Sequence, residues 1–387
     1  MGYTAVIDSF KAYADGNKIV YASDCDSTKD KYAVKVSLAD SDGTAVGTEQ
    51  TNAAGSFDNL EVGKYKITAT LSDGTTEKKK VEKTINIKNL DDMSAYLFVH
   101  FVDTQEDATR EQIYFSVSKD GKTWTTLNNK QPYLTSNVGT QGVRDPYILR
   151  GEDGKFFIIA TDLSVYNLKN NWTAAAQQGS KSIVVWESSD LVNWSEASLV
   201  KINNDNAGCT WAPEACYDPE KDEYMVFWAS VVSDDSYQKY RIYRSYTKDF
   251  KTFSAPELYI EEPNAVIDTT IIDHEGTYYR FTKNEAKSSI TMQECTSLSG
   301  DWKDVANYNL GSMTGYEGPT IYKLNGKNEW CLLLDYFSKS KGYKPFVTTD
   351  ITKGEFTADS DFSFDGTYRH GTVMPITQAE YESLTAE

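Results

Sequence analysis

The sequence predicts an all-β chain: a five-bladed β-propeller preceded by a small immunoglobulin-like β-sandwich. Three observations carry that prediction. Helical periodicity is close to nil, so strands must build the core. Residues 1–92 read as alternating strands cut by Asp-Gly turns. From about Ser94 onward, a two-part strand motif returns five times.

The first region contains "YAVKVSLADSDGT", "GSFDNLEVGKYKITATLSDGT" and "KKKVEKTINIKNL", about seven short strands in some 90 residues, with one Cys and no Trp. Polar and apolar side chains alternating between such turns describe strands with one buried face. The pattern is similar to the fibronectin-type or bacterial immunoglobulin-like modules appended to secreted enzymes, and it divides the chain into an accessory module (1–92) and a larger domain (93–387). Lys78, Lys79 and Lys80 read as a solvated strand edge.

In the second region one part of the repeat is a strand, then Ser/Thr-x-Asp, then an aromatic: "FSVSKDGKTW", "VWESSDLVNW", "YRSYTKDFKTF", a degenerate "MQECTSLSGDW" and "FVTTDITKGEF". The other part is a strand that opens on a short polar or proline motif, then a turn and an apolar strand. Its copies are "RDPYILRGEDGKFFIIATD", "WAPEACYDPEKDEYMVFWAS", "IDTTIIDHEGTYYRFTKNE", "EGPTIYKLNGKNEWCLLLDYF" and a truncated "RHGTVMPIT". Taken from Asp145, Ala212, Asp268, Glu317 and His370, the openings are 67, 56, 49 and 53 residues apart. Repeats of this size with about four strands each are propeller blades. The fifth has one strand near the C-terminus, so "AYLFVHFVD" and "EQIYFSVSKD" must complete it and close the ring.

Composition limits the partners. The 387 residues carry a net charge of −18, which repels phosphate backbones and anionic lipid. Neither nucleic acid nor membrane is an expected partner, and no apolar run approaches the roughly 18 residues of a span. Cys25, Cys209, Cys216, Cys295 and Cys331 are scattered singly without metal-ligand spacing, and the last three sit in strand-like runs as buried thiols. The opening "MGYTAV" reads as an added start, so an export signal is expected to have preceded it. The 26 Tyr and 8 Trp suit sugar sites and all-β cores alike.

The blade openings concentrate chemistry. In a propeller the first strand of each blade lies nearest the axis, so the five openings crowd one end of the channel. That gathers Asp145, the Ala212-Pro213-Glu214 motif, Asp268, Glu317 and His370 from distant parts of the chain. Singly, each is an ordinary turn residue. Together they form an acidic cluster in a funnel, which costs free energy through repulsion and desolvation.

"RDPYI", "VIDTTII", "YEGPTI" and "RHGTV", in this order and spacing, resemble the blade openings of glycoside hydrolase family 43 over residues 94 to about 378. The resemblance implies a five-bladed propeller with α-L-arabinofuranosidase, β-xylosidase or arabinanase activity. It implies Asp145 as general base, Asp268 as the carboxylate that tunes the acid, Glu317 as general acid, and His370 as the axial histidine that approaches a metal ion or ordered water. Calcium is the expected ion, and no cofactor is needed for the chemistry. One departure is that about 50 residues precede the base, because the chain enters through the outer strands of the last blade. Inverting hydrolysis needs an acid and a base about 6.5–9.5 Å apart, natural for two blades that are not neighbours. A carboxylate beside the acid is expected to keep it protonated.

Trp211 and Tyr316 flank openings and are the first choices as sugar platforms, with Tyr147, Trp172, Trp228 and Phe337 also near blade tops. Asp162 and Arg369 could bond sugar hydroxyls. His100 and His274 read as ordinary surface or strand histidines. The segment 163–181 could wall off one side and favour exo action. The expected function is an exo-acting, inverting α-L-arabinofuranosidase, monomeric, bacterial, secreted or at the cell surface, acting on plant polysaccharide or oligosaccharide. The alternatives are a β-xylosidase of the same fold or a non-catalytic carbohydrate-binding propeller. A retaining fructan hydrolase is disfavoured because its Asn-Asp-Pro-Asn type motif does not occur.

Overall fold

A computed structural model describes residues 9–23, 33–73, 76–88, 93–102 and 107–386. Cys25 and the opening "MGYTAV" lie outside them. Up to residue 88 the described residues form six strands, where about seven were expected. Lys11–Asp15, Lys18–Ala22 and Ala54–Phe57 make one sheet; Ala33–Asp40, Gly63–Ser72 and Glu77–Ile87 make another. Alternation builds their shared core. Val34, Val36 and Leu38 turn inward between exposed neighbours and meet Ile19, Tyr21, Phe57, Ile67 and Leu71. Lys78–Lys80 lie on Glu77–Ile87, an edge strand, and Lys80 pairs with Glu82 at 2.7 Å.

The rest is a five-bladed propeller. Four blades are four-stranded, with inner strands Val143–Arg150, Trp211–Asp218, Val266–His274 and Glu317–Lys323. The fifth joins both ends of this region: Thr372–Thr377 is innermost, pairing with Met93–His100, followed by Tyr114–Ser118 and Thr123–Thr126. A parallel edge strand, Ser363–Phe364, makes that sheet five-stranded.

Five apolar layers, one between each pair of adjacent blades, show why the ring closes. In the second strand of the first blade, Phe156, Ile158 and Ala160 face the fifth blade, against Val99 and Phe115. Phe157 and Ile159 face the second blade, against Val226 and Trp228. Side-chain period two thus buries both faces, and the strand reads as one continuous apolar run. Each such side chain contributes about 1.5–3 kcal/mol of burial.

The Ser/Thr-x-Asp repeat is the turn between third and fourth strands. Ser188 accepts from the amides of Asp190 and Leu191 while Asp190 accepts from Val192 and Asn193. Thr247–Asp249 makes the same turn, and Ser118–Asp120 and Thr348–Asp350 share its Asp-capped core. Among the described residues two short α-helices depart from the near-nil expectation. Trp172–Gln177 lies in the 163–181 segment. Gln378–Thr385 starts with a capping box, Thr377 with Glu380, and Arg150 forks onto Glu380 at 2.7 and 2.8 Å, fastening the end of the chain to the first blade.

Candidate active site

Four inner strands open with the same break in register, between Arg144 and Tyr147, Trp211 and Glu214, Ile267 and Thr269, and Glu317 and Thr320. At each break one residue is left-handed: Asp145 (φ 49°), Ala212 (47°), Asp268 (48°) and Gly318 (51°). Such bulges re-aim a side chain and collect at functional sites. Gly318 is glycine for a second reason, since a Cβ there would lie 2.7 Å from the His370 ring.

The bulges bring the sequence-predicted residues together. His370 Nδ1 is 3.5 Å from Asp145 Oδ1 and 3.9 Å from Asp268 Oδ1. Thr161 donates to Asp145 at 2.9 Å and accepts from the Ala212 amide at 2.7 Å. The Gly318 amide donates to Asp268 at 3.1 Å. Glu317 accepts from Lys283 at 2.9 Å and lies 3.4 Å from Arg369, whose Nε donates to Asp335 at 2.6 Å.

Burial opposes every charge here, and the neighbours decide the outcome. For Asp145, burial works upward, but His370, Arg144 and Thr161 outweigh it and hold its carboxyl below the usual range. Asp268 is raised to about 6: burial dominates and Glu317 and Asp145 add to it, against His370 and Lys283. Burial lowers His370, yet Asp268, Asp145 and Glu214 carry it up to about 9, so the imidazole is protonated near neutrality. Glu214, 3% exposed, is pushed by burial to about 8. Its Oε2 has no hydrogen-bond partner among the described residues.

Trp228, Asp162 and Tyr316 are corrected as sugar contacts, whereas His100 and His274 are strand histidines as expected. Trp228 is 1% exposed in the layer between the first and second blades, so it offers no face to a sugar. Asp162 is spent inside the protein, accepting from the Thr140 amide and hydroxyl at 2.7 and 2.9 Å. Tyr316 is covered by Tyr336, stacked at 4.5 Å, and is 9% exposed. Trp211 stacks on Tyr240 at 5.3 Å and meets the edge of Trp172 at 6.2 Å. Trp172, 42% exposed, is the open ring of that trio. Arg369 is engaged by two carboxylates. His100 is a buried strand histidine stacked on Tyr368 at 4.0 Å, lowered to about 4 by burial, and His274 packs on Trp330 at 4.8 Å.

Residues 91–382 match the model of a family-43-related glycosyl hydrolase, described as a probable glycosyl hydrolase domain. The chain belongs to this glycosyl hydrolase family. Over 86% of its length the hydrolase is 30% identical to an α-L-arabinofuranosidase of Bifidobacterium longum subsp. longum, and it spans 35% of that protein. It is similar to a solved thermostable family-43 glycoside hydrolase (19% identity, 61% of this chain and 77% of that one, TM-score 0.43). It is also similar to an exo-β-1,3-galactanase from Phanerochaete chrysosporium (17% identity, 58% and 53% covered, TM-score 0.43). The five blades stand on sheet order and interblade layers, not on these likenesses.

Three further residues at the funnel were not marked by the opening motifs. Thr161, Lys283 and Asp335 end the second strands of their blades. Antiparallel pairing sets each beside an inner-strand opening: Arg144 with Thr161, Ile267 with Lys283, Glu317 with Asp335. Reading strand ends together with strand starts would have found them. As for a cation, no group of three or more His, Cys, Asp or Glu among the described residues could hold a metal ion. Calcium takes six to eight oxygens, and the Nδ1 face of His370 is turned to two carboxylates, Asp145 and Asp268.

Proposed function

We propose that this hydrolase is an exo-acting, inverting α-L-arabinofuranosidase. The observation that carries the proposal is the unequal treatment of the carboxylates at the funnel. Asp145 is held ionised beside a cationic His370, as a base requires, while Asp268 and Glu214 are pushed toward the neutral form. In the proposed reaction Asp145 takes a proton from water as the water oxygen attacks the anomeric carbon. Glu317 gives its proton to the glycosidic oxygen as the carbon–oxygen bond breaks. The products are an alcohol and a sugar of inverted configuration. Lys283 and Arg369 are placed to compensate the carboxylate that Glu317 becomes. Asp268 acts on the acid and on His370 without itself transferring a proton.

The arabinose assignment is supported by the B. longum relative's activity. The exo reading is supported by the 163–181 segment, whose helix puts Trp172 beside Trp211 at the end of the channel where the strands open. In this reading the substrate is plant polysaccharide or oligosaccharide, and the enzyme is a secreted or surface-bound bacterial monomer. The cycle requires no axial cation. Loss of activity on chelation, restored by calcium alone, would bring that ion back. The test of function is a panel of aryl arabinofuranosides and xylopyranosides with linear and branched arabinan, with proton NMR of fresh product. Arabinofuranoside turnover with inversion is expected. Preference for xylopyranoside would favour the β-xylosidase, binding without turnover the non-catalytic propeller, and retention would overturn Asp145 as base.

A further inference from the structure

We propose that Glu111 is a positioning residue for this reaction: it locks Arg144 beside Asp145 and fastens to the rim the segment that carries Trp172. The inference rests on Asp145 being the base.

Glu111 precedes the strand Tyr114–Ser118 of the fifth blade and is fully buried. Four donors converge on its carboxylate. Oε1 accepts from Arg144 Nη1 at 2.8 Å and the Val165 amide at 3.0 Å; Oε2 accepts from the Ser164 hydroxyl at 2.9 Å and the Tyr166 amide at 3.1 Å. Its own carbonyl accepts from the Val143 amide at 2.8 Å, two residues before the base. One side chain therefore joins the fifth blade, the opening of the first blade and the segment leading to Trp172.

A purely structural role explains this poorly. A buried ion pair is a weak stabilising device, and apolar residues of similar volume are often neutral or better. This pair lies at the funnel. Arg144 is 7% exposed, sits 4.5 Å from the Phe101 ring and 5.3 Å from the Trp172 ring, and favours the ionised form of its neighbour Asp145. Arg369, which holds Glu317, faces Phe101 at 6.0 Å from its own side. Glu111 thus fixes Arg144, a cation beside the base, and, through the segment that carries Trp172, the rim of the pocket. It comes from the segment that precedes the base, so those residues do more than close the ring.

Glu111→Gln tests this. Gln keeps the shape but sets an amide NH₂ against donors that need an acceptor. With the fold retained by circular dichroism, kcat on an aryl glycoside should fall on the order of 10- to 100-fold, the scale of a small misplacement at the chemistry. The charged groups facing Asp145 are His370, Asp268 and Arg144. With Arg144 displaced, the acid limb of kcat/KM should move to higher pH. Arg144→Lys keeps the charge but not the planar fork, and should move both readouts the same way by less. A lower Tm with kcat and the acid limb unchanged would reduce Glu111 to a structural residue. Should Glu111→Gln not fold, Arg144→Lys and Ser164→Ala decide: unchanged kcat and acid limb in both overturn the proposal. An active Asp145→Asn would sink the assignment of the base itself. An inactive Asp145→Asn beside an unaffected Glu111→Gln would sink this inference alone.

Discussion

Asp145 and Asp268 occupy the same place in the first and third blades, at the same bulge and with φ of 49° and 48°, yet their carboxyls are driven in opposite directions. Asp268 is buried and Asp145 nearly so, with 17% of its side chain exposed, and both face Nδ1 of His370. The difference lies in what else each meets. Asp145 has the nearer imidazolium, the Thr161 hydroxyl and Arg144. Asp268 has one backbone amide, a more distant His370, and Glu317 as a neighbouring carboxylate. The repeat sets where a carboxylate sits. Neighbours from its own blade and from others set whether it keeps a proton, and so which half of an acid–base reaction it can serve.

The largest expected effects come from removing the two proton-transfer groups. Asp145→Asn and Glu317→Gln should each lower kcat/KM by roughly 10²–10⁴-fold. A dinitrophenyl leaving group needs no proton, so it should rescue Glu317→Gln and leave Asp145→Asn inactive. Rescue of Asp145→Asn would break the comparison, because the first blade would then carry the acid.

Asp268→Asn should cost less and act differently. The charge of Asp268 is one of those that raise His370, so removing it should lower the imidazole titration from about 9, read by NMR. The pH profile should shift with it. A loss as deep as that of Asp145→Asn, with His370 titrating as before, would mean that both aspartates do the same work.

Glu214 sharpens the comparison from the second blade. Its folded-state carboxyl, raised by burial to about 8 from an ordinary 4.5, keeps a proton that the unfolded chain gives up. Stability therefore falls as pH rises between those values, by at most about 1.4 kcal/mol per pH unit. Glu214→Gln removes the titration, so its Tm advantage over the parent should grow from pH 4.5 to 8 and then level off. His370, raised from 6.5 to about 9, loses its own contribution in the same direction as pH rises through 9, so the readout is the difference between variant and parent. A pH-independent difference would place a charged Glu214 in the funnel.

Much of this arrangement is legible in the amino-acid sequence, because the repeat is written in short motifs. Ser/Thr-x-Asp marks a turn whose hydrogen bonds need those residues, and the Asp145, Asp268, Glu317 and His370 openings mark where inner strands begin. What escapes depends on register between distant segments. Glu111 belongs to no motif, and nothing local links it to Arg144 or Val165. Lys283 and Asp335 are visible only when a strand's end is set against its partner's start. Trp228 misleads for the converse reason: it lies one residue before Ala229, which pairs with the opening residue Trp211, but its own side chain belongs to the interblade layer.

The smallest effect on activity is expected at the other end of the same inner strands. There the residues up to 88 grip the inner hairpins and, at Thr296, the end of a third strand. Lys83, 2% exposed, donates to the Thr296 carbonyl at 2.8 Å and lies 3.4 Å from Glu220; Lys64 pairs with Asp222 at 2.7 Å and Lys88 with Glu152 at 2.9 Å. A cleft of about 940 Å³ lined in part by Tyr13, Tyr217, Tyr278 and His274 lies between them. Lys83→Met removes the buried cation and leaves the Thr296 carbonyl without that donor. Glu220 is 27% exposed and can return to water, so the cost should be about 1–3 kcal/mol, that of one buried partner left unsatisfied. A Tm lower by a few degrees is expected from thermal unfolding. Turnover of an aryl glycoside should stay within about twofold, because Lys83 meets Glu220 at the hairpin end of the inner strands, whereas the bulges that aim Asp145 and Asp268 lie at their openings. A collapse of kcat in a variant that stays folded would show that the hairpin end of the inner strands governs their openings. The difference between Asp145 and Asp268 would then have to be sought along the whole length of those strands.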